Sequence, residues 1–128
     1  MRTPAQILER IALVEQTDSM GSQLDILILA LPYEDAKPFI DETVTPAQWL
    51  TDCPELHDAA CEKLIQEAAI AADKAFEADK KLETIQLIGK IRSLIWLKGD
   101  DFVLQQFEQQ PYAGDKIKIA KSAYPLTT

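Results

Sequence analysis

Residues 54–98 read PELHDAACEKLIQEAAIAADKAFEADKKLETIQLIGKIRSLIWLK, a run with a single Gly, at position 89, and no Pro after its first residue. Ala68, Ala69, Ala71, Ala72, Ala75 and Ala78 give the first part strong helix propensity, because alanine surrenders no side-chain rotamers on entering a helix. Drawn out as one helix, the run would measure about 66 Å, too long for a compact domain of this size. A break is therefore expected near Asp79-Lys80-Lys81. The two arms then fold back as an antiparallel hairpin in which the alanines permit close helix approach.

On a helical wheel the second arm gathers Glu83, Gln86, Lys90 and Ser93 in one narrow arc, while Leu82, Ile85, Ile88, Ile91, Ile95 and Trp96 occupy most of the remainder. Such a helix should be buried on nearly all sides and lie at the centre of the fold. Arg92 falls among these apolar positions, where an unpaired charge would cost several kcal/mol. Two roles are open for it. Its stem can cover apolar surface while the guanidinium reaches water or a carboxylate from the acidic half of the chain, or Arg92 and Trp96 can form an interface, both being common hot-spot types.

Working outward, Thr3-Pro4-Ala5-Gln6 is a helix start with a capping Thr, a Pro at the first helical position and a Gln that reaches back, which sets a helix at about residues 4 to 16. The same four residue types recur at Thr45-Pro46-Ala47-Gln48. The sequences diverge at once afterwards, so the recurrence reads as capping chemistry rather than duplication. Ser22 can cap a second helix that runs to Leu31 and is stopped by Pro32. Residues 32–45 read as an acidic connection with room for one short helical turn. Gly99 ends the hairpin, Asp100 or Asp101 caps a last helix through Phe107, and Pro111 to Gly114 ends that one. Lys116-Ile117-Lys118-Ile119 alternates like a strand but has no partner strand, so residues 112–128 are read as an extended tail or a final helical turn. The whole is expected to be one all-α domain over residues 1–128, a compact bundle of about five helices around the hairpin.

Composition narrows the function. The chain has 128 residues and a formal charge of −8. Residues 1–64 carry 12 acids against four bases and 65–128 carry nine of each, so the whole excess lies in the first half. That half should repel phosphate backbones and attract a basic partner, which argues against direct nucleic-acid binding. No apolar run approaches the length of a membrane span. The first residues lead straight into a helix start with Glu9 and Glu15, unlike a signal peptide, so a cytoplasmic location in the producing or infected cell is expected.

The candidate chemistry is sparse. Cys53, His57 and Cys61 stand at helical spacings, but Cys53 and Cys61 would lie about 12 Å apart on one helix, too far for a disulfide or for a shared metal. A nucleophilic Cys53–His57 pair has no third group to orient it, and Asp52 and Glu55 oppose thiolate formation. Glu34, Asp35, Asp41 and Glu42 lack the ligand spacing and central Gly of a calcium loop and read as a solvated acidic face. No metal, cofactor or catalytic residue is assigned. The expected function is that of a small non-catalytic accessory protein that binds another macromolecule, of the kind a phage or mobile element uses as an inhibitor, or an immunity protein acting on a basic partner. Glu34, Asp35, Asp41, Glu42, Arg92 and Trp96 are the candidate interaction residues. The alternatives are a homo-oligomeric assembly or adaptor subunit, with a homodimer the simplest case, and a small enzyme dependent on Cys and His or on a metal.

Overall fold

The computed structural model describes residues 1–17, 22–40, 43 and 58–126. Within them the chain is all-helical, with no strand: α1 (Pro4–Thr17), α2 (Ser22–Leu29), α3 (Tyr33–Ala36) and a 3-10 turn (Lys37–Phe39), then α4 (Asp58–Glu77), α5 (Lys81–Lys98), α6 (Asp101–Gln109) and α7 (Ala113–Ala123). Seven helices thus replace the expected five or so. The additions are α3, the helical turn inside the acidic connection, and α7.

Local chemistry accounts for the boundaries. At the start of α1, the Gln6 N–H donates to Thr3 Oγ1 at 3.3 Å and the Thr3 N–H to Gln6 Oε1 at 2.9 Å, a reciprocal capping box. The break between α4 and α5 is a Schellman turn. Asp79 takes φ 56°, the Lys80 N–H donates to the Ala75 carbonyl at 2.9 Å, and the Asp79 N–H donates to that of Phe76 at 3.1 Å. Asp tolerates the left-handed region better than most non-glycine residues. Gly99, at φ 89°, ends α5 with its N–H shared between the carbonyls of Ile95 and Trp96. Asp100 then caps α6, accepting from the Val103 N–H.

One apolar cluster draws on every helix, from Ile7, Ile11 and Val14 of α1 to Ile117 and Ala120 of α7. The inward row of α4 is Ile65, Ala68, Ala69, Ala72 and Ala75, and this helix packs on α5 and α7. The small row is what lets neighbouring backbones come close.

α5 departs from the expectation of burial on nearly all sides. Burial changes along its length: Ile91, Leu94, Ile95 and Leu97 are fully enclosed, whereas Leu82 and Ile85 near its start remain 58% and 54% exposed. One member of the polar arc, Ser93, is turned inward, while Glu83 and Gln86 stay exposed and Lys90 is half-buried. Ser93 is buried with its hydroxyl donating to the Gln23 carbonyl, and Glu83, Gln86 and Lys90 share a groove with Asp25, Ile26 and Leu29 of α2. A buried hydroxyl bonded to a backbone carbonyl is satisfied, so a wheel that counts Ser as polar misplaces it.

Residues 113–123 form α7 rather than an extended tail. A lone strand leaves its backbone groups unpaired, whereas a helix satisfies them internally and here turns Ile117, Ala120 and, just beyond, Tyr124 into the core. The Tyr124 hydroxyl donates to Asp100 Oδ2 at 2.7 Å, fastening the end of α7 to the cap of α6. Burial first, and the adjacent Asp100 carboxylate second, push the Tyr124 phenol above its ordinary pKa. Lys98 completes this corner with an ion pair to Glu62 at 3.0 Å.

Candidate functional site

At the end of α5 the Trp96 carbonyl only shares the Gly99 N–H with that of Ile95, and the start of the chain supplies further donors to it and to the Leu97 carbonyl. The Arg2 backbone N–H donates to the Leu97 carbonyl and its Nε donates to the Trp96 carbonyl, each near the usual hydrogen-bond length. The Arg2 guanidinium also pairs with Asp101 at the start of α6. Its carbon lies 5.1 Å from the centroid of the half-buried Trp96 ring, and that of Arg10 lies 5.4 Å from the same centroid. Two cations are thus held by one indole, the aromatic face best suited to them.

Arg92 stands beside this group. Its Nε donates to Glu108 Oε1 at 2.7 Å, so its carboxylate comes from α6 and not from the acidic half of the chain. The correction has a geometric cause: the Gly99 turn folds α6 back on α5, bringing position 108 within reach of position 92. Arg10 is different, because among the described residues it has no carboxylate within ion-pair distance. Burial lowers its pKa, the Arg92 charge lowers it further, Glu108 opposes the trend and Arg2 adds to it. Arg10 and Arg92 line a pocket of about 300 Å³ with Leu13, Val14, Thr17 and Gln23. Guanidiniums carry donors and no acceptors, so what this corner can do chemically is hold an oxyanion.

Of the residues singled out in the sequence, Arg92 and Trp96 come together here and the acidic ones do not join them. Glu34 and Asp35 lie on α3; among the described residues Glu34 pairs with Lys37, at 3.6 Å, in its own turn of chain. Asp41 and Glu42 lie outside the described residues, as do Cys53 and His57. Cys61 is fully buried, and burial together with the Asp58 charge raises its thiol pKa. Among the described residues, no group of three or more His, Cys, Asp and Glu is placed to hold a metal ion. No helix among them is long and apolar enough to cross a membrane.

The sequence reading missed Arg2, Arg10 and Glu108. Arg10 had a signal: it sits three residues after Ile7 and four before Val14, on the inward stripe of α1, as Arg92 does among the apolar positions of α5. A second missed surface lies where α4 turns into α5. There Phe76, Thr84, Ile85 and Ala113 line a shallow apolar groove rimmed by Asp79, Lys80 and Lys81.

No protein-family model matches the chain, and neither does any curated protein or solved structure.

Proposed function

We propose that this chain is a non-catalytic accessory protein that acts by binding another protein, its N-terminal carboxylates meeting a basic surface. The observation that supports the reading is the balance of charge between the halves: residues 1–64 carry 12 acids against four bases and residues 65–128 nine of each, so unpaired carboxylates of the first half have few cations around them. In the second half, Asp73 is matched by Lys121, Glu83 by Lys80, Asp101 by Arg2 and Glu108 by Arg92, while Glu67, Glu77, Asp79 and Asp115 have no cation within ion-pair distance among the described residues but share their half with nine bases. In the first half Glu62 has Lys98, Glu34 its local Lys37, and Asp58 the amino group of Met1. Glu9, Glu15, Asp25 and Asp35, spread over α1 to α3, have no cation within ion-pair distance among the described residues. Uncompensated carboxylates on a soluble surface cost little until a basic partner arrives, and then they set its encounter rate and orientation. In this reading the antiparallel hairpin of α4 and α5 is the scaffold, with Lys98–Glu62 closing one end and the Asp79 turn the other.

The test is affinity capture from the producing cell at low and at moderate salt. It compares the native chain with Glu9→Lys/Glu15→Lys/Asp25→Lys/Asp35→Lys, which alters three exposed side chains and one half-buried one. A basic protein captured by the native chain, weakened at least tenfold by about 0.3 M salt and lost with the variant, is the expected result. A partner held equally by both chains would contradict the proposal. A second reading, a homo-oligomeric assembly subunit, is favoured by the apolar groove at the α4–α5 turn, where Phe76, Leu82 and Ile85 are each at least half exposed. Light scattering at micromolar concentration separates the two, because the second requires a mass above that of the monomer.

A further inference from the structure

The geometry points to the pocket between α1, α2 and α5 as a binding site for a small carboxylate, gripped by the guanidiniums of Arg10 and Arg92. The inference is independent of the acidic surface proposed above. It rests on three observations. First, the corner holds three guanidiniums, those of Arg2, Arg10 and Arg92, and two carboxylates paired with them, Asp101 on Arg2 and Glu108 on Arg92. Among the described residues the unmatched charge is that of Arg10, whose contact there is the Trp96 ring. Second, that charge is half-buried, and Arg10 shares with Arg92 the lining of a cavity of about 300 Å³, a volume at the small end of ligand pockets. The Arg92 charge opposes that of Arg10, Glu108 offsets it only in part because it is already paired with Arg92, and an anion in the cavity would complete the balance. Third, the walls are of two kinds. Leu13 and Val14 offer an apolar side, and Thr17 and Gln23 border it with polar groups.

A ligand complementary to these walls has one negative charge, two acceptor oxygens for planar guanidinium donors, and an apolar body of a few carbons. One excess positive charge in a chain of net charge −8 favours a monoanion over a dianion, which separates a carboxylate from a phosphate. A free branched-chain acid and the C-terminal carboxylate of a peptide present the same group. They differ in the amide next to it, whose N–H would donate to the Thr17 hydroxyl oxygen at the pocket wall.

Three probes distinguish the cases: isovalerate for the free acid, N-acetyl-leucine for the peptide terminus, and inorganic phosphate as the dianion. Each is titrated at constant ionic strength into the isotopically labelled full chain, following the Trp96 indole N–H and the Arg10 and Arg92 Nε–H signals by NMR. Saturable shifts with at least one of the two carboxylates are expected. Binding should weaken at least tenfold in Arg10→Gln and remain unchanged in Lys80→Gln, a surface cation at the far end of the hairpin. A further Arg10→Lys variant, which keeps the charge and loses the planar fork, should retain weak binding, and that guards against a loss caused by misfolding. Tighter binding of N-acetyl-leucine than of isovalerate identifies a peptide terminus as the source, and binding of isovalerate at least as tight identifies a free acid. Unsaturable shifts with both carboxylates, equal binding by the native chain and Arg10→Gln, or tighter binding of phosphate than of either carboxylate would overturn the assignment.

Discussion

Phe107→Ala is expected to destabilise the protein by about 3–5 kcal/mol, the range for removing a large aromatic from a closed core. Phe107 is 1% exposed, and α6 buries only one other side chain, Leu104. Nine residues fixed at two points lose their hold when the larger point goes, and the Asp100 cap and the Arg92–Glu108 pair lose their geometry with them. Against a total stability of roughly 5–15 kcal/mol for a domain of this kind, the change is large. Urea denaturation should show it as a fall of about 1–3 M in the midpoint. Phe76→Ala is the control, because that ring is half exposed, and its cost should be less than half as great. Equal losses from the two substitutions would mean that α6 is not docked as described.

The second large effect comes from adding volume rather than removing it. Ala72 lies fully buried in the inward row of α4, where the backbone of a neighbouring helix is close because the side chains between are small. Ala72→Leu adds three carbons to a site with no room for them and should cost about 1–3 kcal/mol, unless the helices part, in which case exposed apolar surface rises as well. Ala78→Leu, at an exposed position in the turn, should change stability by no more than about 0.5 kcal/mol. Thermal unfolding of the two variants side by side checks this. A neutral Ala72→Leu would show slack packing between α4 and its neighbours.

Legibility in the sequence followed the range of the interaction. Features set by neighbours within one turn were readable: the Thr3–Gln6 capping box, the end of α5 at Gly99, the Asp100 cap, and a break close to Asp79. The last of these needed only a length argument. Features set by distant pairing were not readable. Arg92 could be recognised as a charge in need of a partner, but Glu108 is 16 residues away across a turn, and only the folded chain brings them together. The α7 segment misled because Lys116 to Ile119 alternates at strand spacing. What decides its conformation is the row Ile117, Ala120 and Tyr124, which follows helical periodicity and meets a core the local sequence does not contain. The wheel of α5 failed in a different way, since it averages over a helix whose surroundings change from one end to the other.

The candidate site was half visible for the same reasons. Arg92 and Trp96 were singled out because an Arg and a Trp among apolar positions are unusual. Arg2 and Arg10 reach that ring from the other end of the chain, and their proximity is a property of topology. The acidic surface was the reverse case. Composition placed the excess charge in residues 1–64, and the structure adds which of its described carboxylates lack a cation.

The central claim is that Glu9, Glu15, Asp25 and Asp35 are the groups a partner covers, and carboxylate labelling read by mass spectrometry tests it most directly. In the free protein, carbodiimide coupling with a small amine should modify these four faster than the ion-paired Asp73, Asp101 and Glu108. In the presence of the captured basic partner, the four should become protected while Asp73 keeps its rate. Labelling of all four at the same rate with and without that partner would contradict the account.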